Sequence, residues 1–387
     1  MSRKHYVPDQ LRIELAHALG FPEYLVTAAS DPEPYLNYIA NRNLGRGTLE
    51  GFLELVIQVV EYLNQGNDDS ISAPSIQGLL DDLATSPSQY FSDTQARTRS
   101  RRDDVEDTVM YIIGIWTMLL SSFVHLPVAG GARKITLAYT IRAQEKGSTL
   151  GNSPYEGGVS SLVTGSATRL NAYTLRVFGA VDIVWTHNLS RHMLLCKRNG
   201  QYVLEVFALP CALSATTLTS SAVGISAEYA QEITESYSML FNAWPDTPRH
   251  ATISSAFVAR RFCWCWSCSA HRYRHQLIST YQKLSDKRTP GAKRSKNAHA
   301  SEFDPLLVEL MKNEPSDWTP DLFPSLWPRI MILEEHLQSA KPWNIWILFR
   351  DRRDTLQFWT FFFATVVVML TFVQVILGVA QVVGSFA

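Results

Sequence analysis

Thiol and imidazole side chains crowd into RFCWCWSCSAHRYRHQ, where Cys263, Cys265 and Cys268 are followed by His271 and His275. Thiolate and neutral imidazole are the donors of a tetrahedral zinc site. The spacing works against one, because on a helix a Cys-x-Cys pair sends its two sulfurs about 200° apart. Structural zinc sites also draw their ligand pairs from separate segments. No bound zinc is therefore expected. Two other readings stay open for the cluster. Reversible acylation beside a membrane is one. The other is a helix that packs Trp264 and Cys268 inward and turns Arg260, Arg261, Arg272, Arg274 and His275 toward solvent, phosphate or lipid headgroups.

His187 and His192, five apart in WTHNLSRH, are expected to be satisfied surface or core histidines rather than ligands. The sequence contains no Gly-x-Ser-x-Gly elbow, phosphate-binding glycine loop, dinucleotide fingerprint or His-Glu-x-x-His helix. It names no catalytic residue and no cofactor.

The clearest signal is apolar. After Asp354 the last 33 residues carry no Asp, Glu, Lys or Arg, and Phe358 to Val383 is interrupted only by three threonines and two glutamines. Such a segment, with Trp359 near its start, predicts a membrane-spanning helix over residues 356–383. Trp343 and Trp346 suit headgroup depth, and Arg350, Arg352 and Arg353 lie just outside, whereas no cation follows the span. Cations on one side only predict a cytosolic N-terminal bulk in a tail-anchored, single-pass arrangement, in the endoplasmic reticulum or nuclear envelope rather than the mitochondrial outer membrane. The sequon Asn188-Leu189-Ser190 offers a reporter of that orientation.

Within the span, Thr360, Ala364, Val367, Thr371, Gln374, Gly378 and Gln381 follow one another at four and three residues. That stripe of small and polar side chains suits a parallel homodimer, its alternative being glutamines that simply reach the lumenal interface. A second apolar stretch, Thr108 to Ala132, is broken by Ser121, Ser122, His125 and Pro127 and reads as a core helix, although a second span over 109–128 is its alternative.

Positioning these residues requires a folded domain, and 387 residues with 46% hydrophobic side chains can build one. Net charge is -1, but residues 1–107 carry 17 acidic against 9 basic residues, and 249–301 carry 11 basic against 1 acidic. A solvated face, or contact with an anionic leaflet, explains the basic run better than nucleic acid, which is not expected as a partner. Five cysteines, three of them in one hexapeptide, do not form a secreted disulfide framework.

Periodicity divides the chain into an N-terminal helical part (1–63), a flexible excursion (64–103) around a short apolar turn at Leu79, Leu80 and Leu83, and an α+β core (104–284). A basic linker (285–301) and a helical juxtamembrane part (302–349) complete it. Inside the core, Lys134 to Arg142 reads as a strand and Gly147 to Gly158 as a loop. The unit at 166–207 reads as a helix from Ser166 to Phe178, a strand from Val181 to Thr186, and a hairpin turning at Asn199-Gly200. Pairing Arg198 with Gln201 places Met193, Leu195, Tyr202, Leu204 and Val206 on the packed face and Glu205 on the solvent face. Further helices are expected over Ile225 to Trp244, Ser254 to Leu284 and Leu326 to Leu337.

The blocks NAYTLRVFGAVDIVWTHNLSRHMLL, VFALP, FPSLWPRIMILEEHL and WILFRDRRDTLQFWTFFF resemble a group of uncharacterised filamentous-fungal proteins with a cytosolic domain and an RDxRxxxQxWTF-type segment before one terminal span. Arg350, Asp351, Arg353, Gln357, Trp359, Thr360 and Phe361 supply that pattern, and the likeness covers about half the chain. It implies topology and imports no activity. The 166–207 unit also looks a little like a winged helix. A mostly helical α+β domain working as a binding or scaffolding module for a cytosolic protein is the expected function. A membrane-bound enzyme and a tethered nucleic-acid binder are the alternatives.

Overall fold

A computed structural model describes residues 8–25, 32–44, 47–65, 75–85, 89–92, 101–119, 170–220, 222–242, 266–286, 303–314, 316–340 and 355–386. These are mostly helical, with one three-stranded sheet and a long apolar helix after it, the α+β class expected.

The first helices are α1 (Asp9–Ala18), α2 (Glu33–Asn41) and α3 (Leu49–Asn64). Thr48 caps α3 as its sequence predicts, its hydroxyl accepting the Gly51 amide at 3.1 Å and so satisfying a donor the helix cannot. The three-and-four spacing then buries Phe52, Leu55, Val56, Val59, Val60 and Leu63. Downstream, the expected excursion holds two ordered helices, α4 (Ile76–Thr85) and α5 (Gln89–Ser92). Ile76, Leu79, Leu80 and Leu83 repeat at helical spacing, and the three leucines and Tyr90 are buried in the core. Apolar periodicity outweighs the polar flanks there.

Helix α6 (Arg101–Trp116) is a core helix: Val109, Ile112, Ile113, Ile115 and Trp116 are all fully covered. The Trp116 indole donates to Thr217 Oγ1 at 3.1 Å. The strand expected at Lys134 to Arg142 and the loop at 147–158 lie outside the described residues.

The central unit comprises α7 (Ala172–Val177), β1 (Val181–Thr186), β2 (Leu194–Arg198) and β3 (Gln201–Phe207). Helix α7 is shorter than expected. Asn171 and Thr174 form a reciprocal capping box, Asn171 Oδ1 accepting the Thr174 amide at 2.8 Å and Thr174 Oγ1 the Asn171 amide at 3.0 Å. Leu170 thus precedes the helix, though it is buried. The hairpin forms as predicted. Asn199 and Gly200 have φ of 49° and 83°, the left-handed pair a type I′ turn needs, and Arg198 faces Gln201 while Leu195 faces Leu204.

The hairpin's other neighbour was not legible. Strand β1 lies parallel to β3, Ile183 opposite Leu204 and Val184 opposite Glu205, so the order is β1-β3-β2 and β3 is central.

The remaining elements are α8 (Ala227–Leu240), capped by Ser226, α9 (Trp266–Asp286), α10 (Leu306–Leu310), α11 (Trp327–Ser339) and α12 (Thr355–Phe386). Trp185 of β1 pins α9, its indole donating to the Tyr281 hydroxyl. Tyr281 in turn stacks on Phe303 with centroids 5.1 Å apart. Of the basic linker, all beyond Asp286 to 301 lies outside the described residues.

Candidate functional site

The expected span is one continuous helix. Within α12, Phe362–Val383 is 22 residues long with mean hydropathy 2.5, and none of it is buried by protein. At about 1.5 Å per residue it measures roughly 33 Å, the scale of a bilayer's hydrocarbon core. A soluble helix of this composition hides its apolar surface. Here Val368, Met369, Phe372, Leu377 and Val383 are each more than half exposed on different sides. Among the described residues this is the one helix long and apolar enough to cross a membrane.

Trp359 opens the helix as an aromatic collar, stacked on Phe363 and edge-on to Phe362, each at 5.8 Å between centroids. The stripe residues Thr360, Ala364, Thr371, Gln374, Gly378 and Gln381 are exposed. Thr371 turns its hydroxyl back onto the Val367 carbonyl at 2.8 Å. The surface at Gly378 is open, since a Cβ built there meets nothing within 4 Å. Trp343, Trp346, Arg350, Arg352 and Arg353 lie outside the described residues, as does the Phe358 side chain.

The thiol-imidazole cluster is only partly described, with Cys263 and Cys265 outside. Cys268 is fully buried on α9, His271 is half-buried and His275 exposed. These three do not converge, and no group of three His, Cys, Asp or Glu among the described residues is arranged to hold a metal. The basic residues of α9 also differ from expectation. The Arg272 guanidinium donates to Ser269 Oγ and that of Arg274 to the Met311 carbonyl, both at 2.8 Å. Arg272 thus bonds within its own helix, Arg274 ties α9 to the segment after α10, and burial lowers the pKa of Arg274.

A set of buried polar groups surrounds the short 3-10 turn Leu189–Arg191, of which sequence reasoning anticipates His192 as a satisfied histidine but misses Ser236, Glu232, Asp304 and Arg329. His192 is fully buried, with Nδ1 accepting the Phe207 amide at 3.1 Å and Nε2 lying 2.7 Å from Ser236 Oγ. A serine hydroxyl this close to an imidazole suggests a nucleophile and its base. The hydrogen bonds assign the opposite roles. Because Nδ1 takes a proton from the backbone, Nε2 carries the ring's own proton and donates it to Ser236, which donates onward to the Ile233 carbonyl at 2.6 Å. The imidazole is a satisfied core group with its pKa lowered to about 3 by burial and by Arg329. His187, by contrast, is half-buried against the Tyr38 ring at 5.0 Å.

Arg329 of α11 closes the turn, its guanidinium donating to the carbonyls of Ser190, at 2.9 Å, and of His192. Glu232 of α8 accepts the Ser325 and Leu326 amides ahead of α11, the latter at 2.8 Å. Asp304 accepts the Cys211 amide at 2.7 Å. Each is a charged side chain spent on backbone groups that secondary structure leaves free. Arg329 inside the apolar WPRIMIL run was the one available signal. Asn188 is likewise structural. It is buried, and its Oδ1 accepts the Ser190 amide at 3.0 Å, so the folded chain does not present this sequon.

Comparison with protein families, curated proteins and solved structures finds no match to this chain.

Proposed function

We propose that the chain is a single-span membrane protein whose α12 crosses the bilayer and holds the α+β domain on the cytosolic side, where the domain serves as a binding or scaffolding module. The observation that carries the reading is the wholly unburied, 22-residue apolar stretch of α12. Lipid is the solvent in which that surface is stable. The orientation rests on Arg350, Arg352 and Arg353, which stand just before the span. A scaffolding role accords with an interior whose His192, Glu232, Asp304 and Arg329 are all engaged in holding backbone. Two copies associate in this reading through the stripe from Thr360 to Gln381, where Gln374 brings an amide to the middle of the hydrocarbon.

Alkaline carbonate extraction of membranes from expressing cells tests the anchor. The full chain stays with the membrane pellet, and a variant with Val368→Arg and Leu377→Asp moves to the supernatant. Release of the unaltered chain would show that α12 only lies on the surface.

A further inference from the structure

The length and rigidity of α12 bear on which bilayer it fits, given that it spans one. The helix runs without interruption from Thr355 to Phe386 and contains no proline, so it has no kink with which to shorten itself. Its near end is fixed by the mutually packed rings of Trp359, Phe362 and Phe363, the kind of collar that settles at the boundary between headgroups and acyl chains. From that collar the helix extends to Val383 without a charged residue and apolar on every side but the stripe. Gln381 lies within one turn of the far end, so its amide reaches the interface along its own stem.

The apolar length is then about 33 Å, and at an ordinary tilt of about 20° it covers about 31 Å of hydrocarbon. A thin bilayer such as that of the endoplasmic reticulum, about 27 Å, forces a tilt near 35°, whereas a sterol-rich membrane of about 32–33 Å takes the helix almost upright. An unkinked helix with one end pinned adjusts by tilting or by thickening the bilayer around it, each at a cost, and strong tilt drags the aromatic collar out of its plane.

We infer that α12 is matched to a thick bilayer, and that this protein distributes in favour of membranes with a hydrocarbon core near 32–33 Å over those near 27 Å. The thin endoplasmic reticulum bilayer is then disfavoured as its resting place. The inference rests on α12 spanning a membrane.

The test offers the full-length protein, diluted from detergent, an equal choice of two phosphatidylcholine vesicle populations with cores of about 27 and about 33 Å, loaded to different densities and separated by flotation. At least a three-fold excess in the thick vesicles is expected. Deleting Val366 to Met369, which shortens the apolar length to about 27 Å, reverses the preference. Even distribution of the full chain, or an unchanged preference after the deletion, overturns the match to thickness. Protein that floats with neither population overturns the spanning reading itself.

Discussion

Glu205, at the middle of the central strand, is held by Arg191, whose Nη2 donates to Glu205 Oε1 at 3.0 Å. Arg198 joins the same carboxylate from the neighbouring strand. The Glu205 side chain is only 2% exposed, although its partners are one-third and one-half open to solvent. Two guanidinium groups thus roof a carboxylate that the strand order has enclosed. A buried carboxylate with its cations in place is tolerable, and reversal of its charge is not.

The first prediction follows from that roof. Glu205→Lys places a third cation beside Arg191 and Arg198 and lowers stability by about 3–5 kcal/mol. Leu204→Asp, a charge in the packed face opposite Leu195, costs a similar amount. Urea unfolding of the detergent-held chain, followed by tryptophan fluorescence, measures both. A harmless Glu205→Lys would mean that the carboxylate is open to water.

The second concerns pH. His192 has a pKa near 3 when folded and about 6.5 when unfolded, so between these values the unfolded chain binds the extra proton. Its contribution is therefore flat above pH 6.5, and stability falls by about 1.4 kcal/mol per unit as pH drops from 6.5 toward 3. His192→Gln keeps an acceptor and a donor without titrating. Although this variant is the less stable at pH 7, its deficit shrinks at that rate below pH 6.5. A deficit constant with pH would contradict the buried neutral imidazole.

Glu205 also marks where sequence reasoning ends. The hairpin was legible because its information is local: Asn199-Gly200 sets the turn, and alternation sets the face. From an isolated hairpin, Glu205 reads as solvent-facing. Its burial comes with Arg191 of the 3-10 turn and Arg198 lying over the carboxylate, an arrangement of tertiary packing that no short-range pattern records. The same reasoning covers Arg329 and Glu232, which serve backbone groups more than 90 residues away in sequence. The apolar helix was legible in full, since composition alone distinguishes a surface suited to lipid. Helix α4 was misread because its polar flanks resemble a linker, while its four apolar positions keep helical register.

The third prediction addresses the stripe. In a membrane reporter of self-association carrying residues 341–387, the proposed dimer predicts that Gln374→Leu with Gly378→Leu weakens the signal, since it removes the amide available to bond across such a pair and the open surface that would admit close approach. Val375→Leu with Val379→Leu, on another face, leaves it unchanged. Equal responses from the two pairs remove the dimer.

The central claim is that α12 crosses the bilayer with the domain on the cytosolic side, and glycosylation mapping tests it most directly. Asn188 is a poor reporter once folded, because it is buried in its own turn, so an acceptor sequon is appended beyond Ala387 and a second is placed before Pro8. Modification of the appended site alone, with a mass shift reversed by endoglycosidase, is the result this account predicts. Modification of the site before Pro8, or of neither site in a chain that resists carbonate extraction, would contradict it.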